Sequence, residues 1–209
     1  MLKKKKFFFI VFEGVEGTGK SFQINKLYKN LKKKNFNVIK TREPGGSQTA
    51  EKIRSLIFSK KSIKFDKLTD FYLMNAARNE HVQKTLLVAK KQKKIIISDR
   101  FTDSTYAYQV IGNKIDKKIN SINQKYILKN LKPNLTIVLK ANFTSTHSRI
   151  NKRKINNKFD NLKDKFYKKA QNAYLSLAKK KKNYLVFDSS KNTPELEKKI
   201  FDIVLDNIK

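Results

Sequence analysis

Gly14-x-x-x-x-Gly19-Lys20-Ser21 sets glycines, a lysine and a hydroxyl at the spacing of a phosphate cradle. Glycine lets backbone N–H groups approach oxyanions where a Cβ would clash. Lys20 supplies a point charge for β- and γ-phosphates, and the Ser21 hydroxyl is a ligand for Mg²⁺. The stretch Gly14, Val15, Glu16, Gly17, Thr18, Gly19, Lys20 and Ser21 is therefore a candidate nucleotide loop. Its flanks agree. The run 7–12 (FFFIVF) is unbroken and apolar, as in a strand buried on both faces. After it, Phe22, Ile24, Leu27, Tyr28 and Leu31 recur at helical spacing, so a helix N-terminus faces the anion. This pattern predicts binding of a nucleoside triphosphate.

Four other groupings carry chemistry. In Thr41-Arg42-Glu43-Pro44-Gly45-Gly46, a Pro-Gly-Gly turn aims Arg42 and Glu43 beyond a strand end. In Ser98-Asp99-Arg100, an aspartate closing an apolar strand suits a carboxylate that backs Mg²⁺, and Arg100 offers a bidentate fork for a second phosphate. Just beyond, Ser104, Thr105, Tyr108 and Gln109 put hydroxyls, an amide and a ring on one side of a short helix. Met74 and Arg78 stand four apart and share a helix face, an apolar plate and a cation able to hold a flat base. On helical spacing alone, Met74 as ordinary core and Arg78 as an exposed charge is the stronger reading.

The elements that must position these groups alternate. Strands are expected over 7–12, 37–41, 94–98, 135–139 and 184–187. Helices are expected over 19–34, 47–57, 67–91, 104–108, 115–131, 143–151, 162–181 and 194–208, the last opened by Thr193 as cap and Pro194 at its first position. Such alternation implies one α/β domain over 1–209, with a five-stranded parallel sheet and helices on both faces. Ligands in such folds sit beyond the carboxyl ends of the strands, where the polar clusters 13–21, 42–46, 99–109, 149–153 and 188–190 all fall.

Composition bounds the rest. The 209 residues include no cysteine, which excludes a disulfide frame and a thiolate metal site. No apolar run reaches membrane-spanning length, and the run 7–12 leads into the phosphate loop rather than to a cleavage site, so a cytoplasmic location is expected. The net charge is +32, with lysines spread along the chain and no nucleic-acid motif, so no specific nucleic-acid partner is expected. Only six basic residues are arginine: Arg42, Arg54, Arg78, Arg100, Arg149 and Arg153. Where lysine is the default cation, these positions point to a need for the planar guanidinium.

FEGVEGTGKS, TREPGG, AARNEH, DRFTDSTYAYQ, PNLTIVL and VFDSS together resemble the thymidylate kinase family, from about Phe7 to Ile208. TREPGG and DRF-x-x-S-x-x-AYQ are the specific pieces; other nucleoside monophosphate kinases share only the phosphate loop. The resemblance implies a three-layer P-loop NTPase fold with a short lid at about 149–160. It implies ATP as phosphate donor with Mg²⁺, dTMP as acceptor, and commonly a homodimer. Lys20 and Ser21 would hold MgATP, and Asp188 would lie near adenine. Glu16 would face the acceptor sugar and the metal, making Ser21, Glu16 and Asp99 the metal set. Arg42 and Arg100 would hold the acceptor phosphate, with Met74, Arg78, Ser104, Thr105, Tyr108 and Gln109 around its base and sugar. The loop itself carries no arginine, so Arg149 and Arg153 of the lid would join Lys20, Arg100 and Glu16 in catalysis.

This chain departs from the family at Met74, where an aromatic residue is usual, and at Asn151 and Lys158, where arginine is common. Two alternatives follow: a kinase acting on dUMP or a wider pyrimidine set, and a nucleotide-gated nucleic-acid ATPase. The second leaves the DRF block without a role.

Overall fold

The computed structural model describes residues 6–59, 65–152, 164–191 and 193–208. Five strands, β1 (Phe8–Glu13), β2 (Val38–Arg42), β3 (Ile95–Asp99), β4 (Leu135–Lys140) and β5 (Tyr184–Asp188), form one sheet in the order β2-β3-β1-β4-β5. Every pairing is parallel. The five expected strands are all present, each within a residue or so of its expected limits.

The sheet is buried on both faces because helices return across it after each strand. All six residues of β1 are buried. Their side chains alternate between layers, as strand geometry requires. Phe8, Ile10 and Phe12 pack with Ile24, Leu27 and Leu31 of α1 (Lys20–Lys33), and with Ile200 and Val204 of the C-terminal helix. Phe9 and Val11 pack on the other face with Val82, Leu86, Ala89 and Phe101.

Between β2 and β3 run α2 (Gln48–Ile57), α3 (Lys67–His81), a π-helical segment (Val82–Leu86) and α4 (Leu87–Lys91). The expected single helix over 67–91 is thus interrupted by one widened turn. After β3 come α5 (Thr102–Thr105), a second π-helical segment (Tyr106–Gly112) and α6 (Lys117–Leu128). Here the helix expected over 104–108 begins earlier and continues with wide turns to Gly112. The remaining helices are α7 (Phe143–Asn151), α8 (Asp164–Lys179) and α9 (Pro194–Ile208). Thr193 caps α9 as expected, its Oγ1 accepting from the Leu196 N–H at 3.3 Å. Arg153 and the rest of the expected lid from 153 to 160 lie outside the described residues.

Candidate active site

A cavity of about 620 Å³ opens at the carboxyl edge of the sheet. Glu16, Lys20, Ser21, Arg42, Met74, Arg78, Asp99, Arg100, Ser104, Thr105, Tyr108 and Gln109 all line it. Residues from four separate stretches of sequence therefore meet in one place.

The phosphate loop turns out of β1 against β4. Gly14 has φ +137°, and a Cβ there would run into the Leu139 carbonyl oxygen. Helix α1 starts at Gly19 with no capping side chain and no acid in its first turn. Its free amides and dipole are left for an anion. Lys20 Nζ donates to the Gly14 and Val15 carbonyls, both at 2.8 Å. Burial lowers its pKa to about 8, Arg100 adding to the fall while Asp99, Glu16 and Glu13 oppose it. Such a lysine lacks a full counter-charge, which a phosphate would supply. Beside it, Ser21 Oγ donates to Asp99 Oδ2 at 2.9 Å, so the hydroxyl and strand-end carboxylate of the expected metal set adjoin.

Arg100 anchors the acceptor side. Its φ of 73° lies in the left-handed region, uncommon for a residue with a side chain. The conformation is held by its N–H donating to the Phe12 carbonyl at 2.9 Å. The guanidinium donates from NH2 to Glu16 Oε1 at 2.7 Å, and from NH1 to Gly14 O, Ser104 Oγ and Tyr174 OH at 3.0 Å each. The Tyr108 hydroxyl donates to the other Glu16 oxygen. Glu16 thus joins Arg100 to Tyr108 across the cavity wall. Both its oxygens are engaged within the protein.

Ser104 lines the cavity beside Thr105, Tyr108 and Gln109, and its hydroxyl is already engaged within the protein. Its hydroxyl sits in a network beneath Arg100, donating to Glu13 Oε2 at 2.7 Å. Glu13 opens the polar cluster 13–21 but has no role assigned from sequence. It is fully buried and accepts the Phe101 and Ser104 N–H groups at 2.8 and 3.3 Å. Burial, with Asp103 nearby, pushes its carboxyl up to about 8, against the Ser104 hydrogen bond and Arg100. The available signal was an acid closing an otherwise all-apolar strand. Tyr174 of α8, equally unforeseen, accepts from Arg100 in the same network.

Arg42 donates from Nε and NH2 to Glu51 at 3.2 and 2.8 Å, and Glu51 also accepts the Gly46 N–H at 2.9 Å. Arg54 NH1 donates to the Pro44 carbonyl at 2.7 Å. Both arginines are thereby organised around the TREPGG turn at the cavity rim.

Of the cavity-lining residues on α3, Met74 is 8% exposed and Arg78 is 4% exposed. Arg78 is no surface charge, which overturns the reading that helical spacing favoured. Its Nε donates to Glu43 Oε2 at 2.7 Å and its NH2 to the Phe101 carbonyl at 3.0 Å. Its NH1 is buried with no partner among the described residues. A buried guanidinium N–H without a partner is costly, and Arg78 is also one of the residues that line the cavity. Thr105 and Gln109 are buried beside the same space.

Arg149 lies apart from the cavity lining. It donates to the Gly17 carbonyl at 3.1 Å and to the Ser189 and Ser190 carbonyls at 2.8 Å each. It therefore clamps the phosphate loop to the turn after β5. Asp188, in that same region, is exposed and accepts the Ser190 N–H at 2.9 Å.

The family model for thymidylate kinase matches residues 12–200. The thymidylate kinase of Mycoplasma capricolum subsp. capricolum is 36% identical over 204 residues, spanning 96% of each chain. That of Mycoplasma genitalium is 40% identical over 193 residues, 88% of each chain. Among solved structures, thymidylate kinase from Ehrlichia chaffeensis aligns with a TM-score of 0.76 at 28% identity, over 98% of this chain and 100% of that one. The matched span holds the cradle, the TREPGG turn and the DRF block alike, and the chain belongs to the thymidylate kinase family.

Proposed function

We propose that this chain transfers the γ-phosphate of ATP to dTMP, giving dTDP and ADP, as a single nucleoside monophosphate kinase domain. The observation that carries this reading is one cavity lined both by Lys20 of the phosphate loop and by Met74 and Arg78 of α3. The first suits a triphosphate. The second suits a flat base with a carbonyl.

The dTMP phosphate oxygen attacks the γ-phosphorus in line; that P–O bond forms as the bond to the ADP oxygen breaks. No covalent enzyme intermediate is needed. Lys20 meets charge on the donor phosphates. Arg100, held by Glu16, and Arg42, held by Glu51, meet the acceptor phosphate. Tyr108, tied to Glu16, stands against the acceptor sugar. Ser21 and Asp99 fit Mg²⁺, since a hard cation takes oxygen ligands and keeps phosphates and waters as the others. When bound, the cation neutralises charge on the transferring phosphate. Glu16 is a weaker fit to the metal, because its oxygens already serve Arg100 and Tyr108.

The assay that tests the reading is ADP release from MgATP with dTMP, dUMP, dCMP, dGMP and dAMP offered separately. Turnover with dTMP alone supports it. Equal turnover with dUMP keeps the kinase and widens the acceptor. ADP release independent of any acceptor would overturn phosphoryl transfer.

Arg149 and Arg153 divide the donor-side work in this reading. The Arg149 clamp orders the phosphate loop, so Arg149→Ala should raise the ATP KM about tenfold, as loss of charge-assisted hydrogen bonds predicts. Arg153→Ala should instead lower kcat with the ATP KM little changed. The reverse pattern would exchange the two roles.

The Lys20 pKa of about 8 also sets a pH dependence. Capture of ATP by the free enzyme needs the charged ammonium, so kcat/KM for ATP should fall as pH rises above about 8. Bound phosphates favour the charged form, so kcat should hold to higher pH. Parallel loss of both parameters would remove Lys20 from this role.

The reading extends to a homodimer and a cytoplasmic location. Tyr72 of α3 and Ile122 and Tyr126 of α6 are exposed on neighbouring helices, apolar surface that a second copy would cover. Light scattering of the purified chain reads the assembly directly. The run 7–12 is part of the core sheet, and no helix among the described residues is long and apolar enough to cross a membrane.

A further inference from the structure

His81 is a fully buried histidine that neither the phosphate chemistry nor the cavity wall uses. It ends α3, one helical turn beyond Arg78, so both side chains lie on the same face. That face meets Glu43, whose two oxygens are shared: Oε1 lies 2.9 Å from His81 Nδ1 and Oε2 lies 2.7 Å from Arg78 Nε. Behind the ring, His81 Nε2 lies 2.7 Å from Thr41 Oγ1.

We propose that His81 is a positioning residue for the acceptor base: through Glu43 it fixes the Arg78 guanidinium at the cavity wall against which the base would lie. This rests on the dTMP-kinase reading of the cavity.

The chain of bonds runs in one sense. Glu43 is buried yet held below the ordinary carboxylate range: burial pushes it up, and Arg78 and His81 more than offset this. As an ionised carboxylate Glu43 only accepts, so His81 Nδ1 carries a proton toward it. Thr41 Oγ1 lies 2.7 Å from Nε2, and that contact fixes the ring angle from behind.

The turn itself closes over the ring. Gly46 has φ +85°, and a Cβ there would collide with Thr41 Oγ1 and the His81 ring. Thr85 Oγ1, from the π-helical turn that follows His81, donates to the Gly46 carbonyl at 2.6 Å. Thr41, Glu43 and Gly46 of the TREPGG turn are therefore keyed to the helix that carries Met74 and Arg78.

Arg78 has five N–H donors. Glu43 and the Phe101 carbonyl fix Nε and NH2, and the planar guanidinium leaves NH1 no freedom of direction. A fixed guanidinium at that wall favours a base with a carbonyl there over one with an amino group. Without the His81 bond, Glu43 has one anchor fewer and Arg78 loses its aim.

The test separates the two ring nitrogens. An asparagine amide reaches the Nδ1 position, and a glutamine amide the Nε2 position. His81→Gln is expected to raise the dTMP KM about tenfold, the scale of one buried hydrogen bond to a charged group, and to reduce the preference for dTMP over dCMP. The ATP KM and the kcat at saturating dTMP should stay within about twofold, since neither meets this chain of bonds. His81→Asn, which keeps a donor toward Glu43, should restore the dTMP KM to near wild type. An unchanged dTMP KM in His81→Gln, or dTMP and ATP KM rising together, would overturn the proposal. So would His81→Asn proving as impaired as His81→Gln. If His81→Gln does not fold, Thr41→Val reads the same chain by removing only the bond to Nε2. A dTMP KM raised about threefold at unchanged ATP KM supports the proposal, on the same hydrogen-bond scale. No change overturns it. Wild-type protein inactive on dTMP would instead strike the kinase reading itself.

Discussion

Lys20→Ala should leave a folded protein with kcat lowered at least about a thousandfold, the scale seen when a fixed donor to a transferring group is lost. Nothing else in the described loop can replace it: Val15, Gly17 and Thr18 carry no charge, and Glu16 is bound to Arg100. The fold should not suffer. Lys20 has a folded pKa near 8, below its ordinary value of 10.5, so the unfolded chain holds this proton more tightly. At pH 7 the buried charge therefore opposes folding, and that cost lessens as pH rises from about 8 toward 10.5. Alanine removes the cost together with two hydrogen bonds to carbonyls. The melting temperature is expected to stay level or rise while turnover vanishes. Turnover near wild type in a folded variant would defeat the phosphate-loop assignment.

The second large effect is expected at Arg100. Arg100→Lys keeps the charge and the same left-handed backbone demand but loses the fork. One ammonium cannot reach Glu16 on one side and Gly14 O, Ser104 and Tyr174 on the other. We expect kcat/KM for dTMP to fall about a hundredfold, with the ATP KM little changed, because bidentate capture of the acceptor phosphate is lost. Stability should fall as well, by about 1–3 kcal/mol, because buried acceptors around Glu16 lose their donor. Steady-state kinetics beside a thermal melt checks both parts. An equal rise in the two Michaelis constants would mean that Arg100 holds the loop rather than the acceptor.

What could be read without coordinates follows from how local each signal is. The strands were legible because the sheet is parallel and buried on both faces, so each strand is a short apolar block ended by a polar residue at the site. The cradle was legible because its spacing is its mechanism. The π-helical turns at Val82–Leu86 and Tyr106–Gly112 were not. They add no new residue type, and their register depends on what Tyr108 and Thr85 bond across space. Arg78 was misjudged by periodicity because helical spacing shows which residues share a face, not that Glu43 from a distant turn waits there. Arg149 looked like a lid cation, and in the structure its guanidinium is spent on three carbonyls of the loop and the β5 turn. Glu13 and His81 lie inside FEGVEGTGKS and AARNEH, yet each acts through another residue, so neither motif says what they do.

Strand β1 stands at the centre of the sheet, yet it is made first. Its neighbours are β3, which begins at Ile95, and β4, which ends at Lys140. During synthesis the apolar stretch FFIVFE therefore emerges long before either partner exists, and neither edge can pair until most of the chain has followed. Parallel sheets with such distant pairings are slow to form and exposed to aggregation in the interval. Like-charged chains repel one another, so a net charge of +32 opposes association at every stage, this interval included.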